Sequence, residues 1–492
     1  MVEPGSPEIH KVPNPYPLTL AGMLAMLGPQ AINFGISVGG GEAYLLPNIG
    51  ARGAFNMHWL MLVSVVLEAA VVYECMKYSM CTGRSFFAAT HELKPVGFWP
   101  WFWAVVSLVL FAWPAWMGGA VIAAQRFTGI STQTLLPGST LPPQYVWAVV
   151  GLVLVLVVFY FSDRTYDFLA RFFTIIMFAN IFLVLLVTAI GAKPRHYWDV
   201  LVGYLGLTFL TEGYPAGLPA TDALALYGQP GGSIMYVSFW VVAAGFGIGK
   251  FAGQVTGPLR PPERITAQEL HWDTSDPAEH AKMRQWVRTG GYSLFFWWGL
   301  IGGTLMTYLY SVAGYAYLHG GYLETGRVPG GVEVPLQMAT VAASAMGPAA
   351  GALMLIFVMV TLYDAQFPIY DTFIGRTTTD AIAVTGIGRS RPYRFWYFLV
   401  VTLAVLAGFW LVAQTQPFII WLSVATIGLI VRSIGALQIL LINNKRLPPE
   451  FHVGKLSTPL LWFTFVTGFV AVGVWLVFGG FAEIVRRWST GV

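Results

Sequence analysis

Eleven apolar runs, each long enough to cross a bilayer, occupy most of this 492-residue chain. They lie near 18–50, 57–81, 98–126, 144–162, 167–192, 233–257, 290–318, 349–375, 393–414, 417–443 and 458–481. About 20 apolar residues in a helix are enough to cross the ~30 Å hydrocarbon layer. Lipid offers no partner for a backbone N–H or C=O, so only helices and closed barrels can span it. The short alternating segments of a barrel are absent. Only 10% of residues are charged, against about 25% in a soluble domain. The chain therefore reads as an all-α polytopic membrane protein, about 11 transmembrane helices, whose first partner is the lipid bilayer. Nineteen Trp and 22 Tyr suit the interfacial belts of such a protein. A net charge of +4 calls for no nucleic-acid partner. The polar, Pro-rich start (Met1 to Pro17) reads as a tail rather than a cleavable signal. Cys75 and Cys81, six apart on one helix, face different ways, so no mutual disulfide is expected.

Lys and Arg set the expected orientation. With the N-terminus inside, eighteen of the 27 fall on cytoplasmic segments and seven on external ones. This split favours a cytoplasmic N-terminus and an external C-terminus in a plasma (inner) membrane. Spans 1–5 and 6–10 then have opposite topology. The expected organisation is a tail (1–17), a first repeat (18–192), an external loop or lid (193–232), a second repeat (233–445), and span 11 with the C-terminus (446–492). The charged connection at 258–289 is expected to hold a short amphipathic helix.

Two spans are broken by glycines followed by a charge. Span 1 carries Gly39-Gly40-Gly41-Glu42, and span 6 carries Gly245-Phe246-Gly247-Ile248-Gly249-Lys250. Paired interruptions of this kind point to the substrate site of an inverted-repeat transporter. Carbonyls freed at Gly39, Gly41, Gly245 and Gly247 would then face cargo. Glu42 opens the second half of span 1, where the positive end of a helix dipole tolerates a carboxylate. It reads as a cation ligand or an anchor for a substrate amine, or as a cap that merely closes the break. Lys250 could neutralise Glu42, bind an anionic cargo, or snorkel to an interface.

Other intramembrane charges need partners. Span 8 carries Asp364, Gln366 and Asp371, then Arg376. Oxygen ligands at this density suit a hard cation. The plainer alternative is an internal Asp371–Arg376 contact beside a water-lined face. In span 2, Glu74 and Lys77 are three apart and can pair. Glu68 sits deeper. Arg432, in the middle of span 10, requires a carboxylate. None of the eight histidines falls mid-span, and no nucleophile elbow, P-loop or HExxH motif occurs. Neither an enzyme nor an ATP-driven pump is expected, and no cofactor is implied.

Several short motifs resemble the Nramp superfamily, specifically its divergent Nramp-like branch. Gly41-Glu42-Ala43-Tyr44-Leu45-Leu46-Pro47 followed by Gly50-Ala51-Arg52-Gly53 is similar to the span 1 pattern of that branch. Glu74 to Gly83 resembles its span 2, Gln366 to Arg376 its span 8, and Asn443-Asn444-Lys445-Arg446-Leu447-Pro448 its span 10 exit. The resemblance implies a LeuT-type 5+5 inverted-repeat fold with broken helices 1 and 6, and transport of divalent metals. The chain departs from the family at its chemistry. The Asp-Pro-Gly-Asn motif reads Gly39-Gly40-Gly41-Glu42, and the Met-Pro-His motif is missing from the segment ending at Lys250. The acidic residues of span 3 are replaced around Trp113-Pro114-Ala115-Trp116. Without a thioether ligand, selectivity for soft metals loses its basis.

The expectation is a transporter of a hard or hydrated, Mg²⁺-like cation. Glu42, Asp364 and Asp371 would serve the metal, and Glu68, Gln366, Arg376 and Arg432 coupling or gating. One alternative is a small zwitterionic or anionic solute held by Glu42 and Lys250, with possible Na⁺ coupling at span 8. Another is a non-transporting membrane subunit or sensor on the same scaffold.

Overall fold

Long apolar runs without partners for their backbone coil into helices, and helices make up most of the computed structural model. It describes residues 8–215, 218–228, 234–263, 265–327, 334–388, 390–414 and 417–490; residues 39–44, Glu42 among them, are described in their backbone only. Among the described residues, six helices are long and apolar enough to cross a membrane by themselves: Phe55–Thr82, Thr165–Gly191, Pro348–Thr385, Tyr393–Leu411, Leu422–Arg446 and Ser457–Val477. Shorter apolar helices, among them Phe98–Phe111 and Tyr145–Phe161, complete the bundle.

Span 1 is a regular helix at Leu27–Phe34 and again at Ala43–Arg52. Between them, Gly35–Glu42 coils as a π-helix. The interruption at the glycines is thus a widened turn rather than an extended gap. π segments recur in span 7 (Leu294–Met306) and span 8 (Ile369–Arg376). Such segments leave carbonyls poorly matched within the helix and cluster at functional sites in general. Span 3 is also divided, with helices at Phe98–Phe111 and Ala115–Thr128 on either side of Pro114.

A buried helix precedes the apolar run of span 6. Helix Ala220–Gly228 is buried over most of its length and packs against spans 2 and 10. The chain is helical again at Ile234–Ala243. The segment 193–232, expected as an external loop or lid, thus holds three helices among its described residues: Pro194–Tyr204, Leu207–Glu212 and Ala220–Gly228. Gln229-Pro230-Gly231-Gly232, read above as part of a lid, lies outside the described residues.

The amphipathic helix expected within 258–289 starts at Pro277 and runs without a break into span 7. The tail is pinned at the same end of the bundle. Ile9–His10 pairs in parallel with His271–Trp272, and the Trp286 indole donates to the Pro13 carbonyl at 2.9 Å. Beyond span 11, helix Gly480–Thr490 returns to the start of Ala220–Gly228, where Arg487 meets Asp222 at 3.0 Å. Cys75 and Cys81 are both free and buried.

Candidate functional site

In helix Ala220–Gly228 the Tyr227 carbonyl is a meeting point for side chains of two other spans. Ser64 of span 2 donates to the Tyr227 carbonyl at 2.7 Å, and Arg432 of span 10 donates to it at 3.3 Å. The same guanidinium reaches Glu68 at 2.6 Å and Ser64 at 2.7 Å, and lies 4.9 Å from the centroid of the Tyr227 ring. The carboxylate required by Arg432 is thus Glu68, and the pair holds the helix Ala220–Gly228 at Tyr227. Tyr227 and Ser64 carry no charge to reveal them in the sequence. A second tie between spans 2 and 10 lies nearby: Glu74 pairs with Lys77 at 2.6 Å and accepts from Asn443 at 2.8 Å.

The glycines of span 6 do something different from what their pattern suggests. The Gly245 N–H bonds to the Val242 carbonyl at 2.9 Å, and the Phe246 N–H to the Val241 carbonyl at 3.2 Å. Gly245 has φ +71. This is a Schellman motif, the ordinary way in which glycine ends a helix. A short 3₁₀ turn, Gly247–Phe251, follows, and then irregular chain. A Cβ on Gly247 would stand 2.3 Å from the Met80 carbonyl, so this glycine lets the turn lie against the end of span 2. Lys250 is exposed. Its neighbour Phe251 stacks on His10 of the tail at 4.5 Å. Gly245, Gly247 and Lys250 therefore sit at the tail-bearing end of the bundle and do not join the span 8 residues.

Span 8 divides its polar residues between two surroundings. Asp371 lies in the π segment and is fully engaged. Arg376 reaches its two oxygens at 3.1 and 3.2 Å, and the Tyr397 hydroxyl donates at 2.6 Å. Asp364 closes the helix Pro348–Asp364 and is completely buried. Neither of its oxygens has a hydrogen-bond partner among the described residues. Gln366, equally buried, has no partner among the described residues for its amide oxygen or its nitrogen. Seven residues place two side chains on one face of an α-helix, but the change of winding after Pro368 gives Asp364 and Asp371 different neighbours.

The helix that ends at Asp364 packs along the π segment of span 1, which carries Gly39, Gly41 and Glu42. In that segment the buried Ser37 hydroxyl is also unpaired. Span 1 thus meets span 8 at its π segment, while its first part, Leu27–Phe34, packs against Val237–Ala243 of span 6.

No known protein family or curated protein sequence matches the chain. Solved structures do. A manganese transporter from Eremococcus coleocola, in complex with an aromatic bis-isothiourea substituted compound, superposes with a TM-score of 0.64 at 12% identity, over 96% of this chain and 90% of that one. Mhp1, a nucleobase-cation-symport-1 family transporter in a closed conformation with bromovinylhydantoin bound, gives 0.51 at 13% identity, over 97% and 96%. The chain has the LeuT-type fold.

Proposed function

We propose that this protein is a secondary transporter working by alternating access, and that its cargo is a hard or hydrated divalent cation, Mg²⁺-like rather than a soft transition metal. Asp364 carries the reading. A carboxylate buried without a partner costs several kcal/mol even after relaxation, and a cation offsets that cost. Gln366, Ser37 and the carbonyls of the π segment at Gly39 and Gly41 would complete an all-oxygen set, with Glu42 as a second carboxylate. Such a set suits Mg²⁺ or Ca²⁺ geometry, and it lacks the sulfur and imidazole that select softer metals. The shared fold with a manganese transporter supports a cation cargo. The position of Lys250 supports it further, because no lysine at the exposed end of span 6 neutralises Asp364. The organic-solute alternative depended on that lysine. Asp371, paired with Arg376, is assigned to the scaffold of span 8, and Glu68 with Arg432 to the scaffold around Tyr227.

The test is calorimetry on the purified protein in detergent. Mg²⁺ or Mn²⁺ should release or absorb heat with saturation, and Asp364→Asn should abolish the signal while the protein still elutes as a folded species. Proteoliposomes should take up the same ion. An undiminished heat in Asp364→Asn would remove the basis of the assignment. Absence of any metal signal, with stabilisation by a metabolite instead, would favour an organic cargo.

A further inference from the structure

At the tail-bearing end, away from the residues assigned to cargo, a cavity of about 610 Å³ opens between the exits of spans 2 and 8, the start of span 9 and the loop near Gln268. Arg84, His91, Gln268, Arg391, Tyr393 and Trp396 line it. Of the acidic groups near it, Glu92 and Asp380 are engaged, while Glu269, next to Gln268, lies close enough to Arg84 and Glu92 to act on both and forms no ion pair among the described residues. Glu92 is held by Arg84 at 2.7 Å and by Arg446. Asp380 accepts from Ser85 and, at 2.9 Å, from the Tyr393 hydroxyl. The cations are not used up. Arg391 is exposed, and no carboxylate among the described residues pairs with it. Arg84, although bonded through both terminal nitrogens, has a buried Nε without a partner, and so has His91 at Nδ1. Both of these atoms are shut off from the cavity, so Arg391 is the cation that an anion entering it would meet.

The apolar surroundings say what kind of anion would reach Arg391. The Arg391 guanidinium lies 5.3 Å from the centroid of the Phe395 ring. From Phe395 an exposed stripe continues through Leu399, Leu403, Leu406 and Trp410. These residues are three or four apart, so they form one face along the whole of span 9. A face of this kind on a membrane span meets acyl chains. A basic pocket at the end of such a face suits a phosphate headgroup whose chains run along the helix.

We infer that this cavity seats the phosphate of an anionic membrane phospholipid, with Arg391 as its accessible cation and the Phe395–Trp410 stripe as the bed for its chains. The site is independent of the cargo assignment. The full-length protein, purified and relipidated with phosphatidylglycerol or phosphatidylcholine, should retain phosphatidylglycerol preferentially by native mass spectrometry. Arg391→Gln should weaken that retention about fivefold, which is what ~1 kcal/mol per surface cation implies, and Arg391→Glu should abolish the preference. Both variants should melt at the wild-type temperature in phosphatidylcholine, because Arg391 makes no ion pair with the described residues. Inorganic phosphate at millimolar concentration should neither displace the lipid nor raise the melting temperature. Equal retention of the two lipids, or unchanged retention in Arg391→Glu, would overturn the inference. Stabilisation by inorganic phosphate alone, equal to that by the lipid, would overturn it in favour of a soluble phosphate ligand.

Discussion

Arg432 and Glu68 meet at 2.6 Å with neither side chain exposed. Arg432 also binds Tyr227 through its carbonyl and its ring, and Ser64 donates to the same carbonyl, so span 2, span 10 and the helix Ala220–Gly228 share one polar knot. Removing one partner of such a pair leaves a lone buried charge and costs about 3–5 kcal/mol, whereas replacing both with apolar groups is close to neutral. Glu68→Gln and Arg432→Met should each lower the melting temperature sharply in detergent. The double variant Glu68→Leu/Arg432→Met should recover much of the loss. Additive losses would mean that the two residues act separately.

Asp371 gives the control for the proposed cargo site. Its oxygens are taken by Arg376 and Tyr397. Tyr397→Phe removes one charge-assisted hydrogen bond and should cost about 1.5–3 kcal/mol of stability. Cation binding by calorimetry should stay within twofold of wild type. A loss of binding in Tyr397→Phe as deep as that in Asp364→Asn would show that both aspartates serve the ion.

Much of this fold can be read from apolar run length, because lipid leaves a long apolar segment no choice but a helix. Charged residues in those runs also announce their needs. Arg432 demanded a carboxylate, and Glu74 with Lys77 had the spacing to pair. The sequence could not tell a helix stop from a mid-span break, since glycine serves both. Gly245 makes a Schellman end, while the buried helix Ala220–Gly228 lies within a connection whose Gly and Pro content reads as a loop. Nor could spacing separate Asp364 from Asp371, because the π winding between them is a tertiary outcome with no residue signature. Ser64 and Tyr227 lie 163 residues apart, and only the packed structure joins them.

Two glycines should respond in opposite ways to alanine. Gly247 has φ +56, and a Cβ there would approach the Met80 carbonyl to 2.3 Å. The left-handed conformation alone costs alanine about 1–2 kcal/mol, and the clash with backbone adds to it. Gly247→Ala should therefore lower the melting temperature. Gly320 lies in the helix Thr307–Thr325 with open space around it. Gly320→Ala should raise stability by about 0.5–1 kcal/mol. A Gly247→Ala protein as stable as wild type would mean that the turn does not lie against span 2.

Glu269, in the connection before span 7, should give the protein a pH-dependent stability. Burial is the main cause that raises its carboxyl above the ordinary value of 4.5, and the neighbouring Glu92 adds to the rise, against Arg446, Arg84 and His271. The folded state thus holds this proton more tightly than the unfolded chain does. The resulting stabilisation is fully present below pH 4.5, and it is lost as the pH climbs through the raised folded value. At neutral pH the ionised carboxylate therefore opposes folding. Glu269→Gln should melt higher than wild type at pH 7, and the difference should shrink as the pH falls toward 5. The measurement is a pair of melting curves across that range in one detergent. Parallel curves for the two proteins would show that Glu269 ionises alike in the folded and unfolded chains.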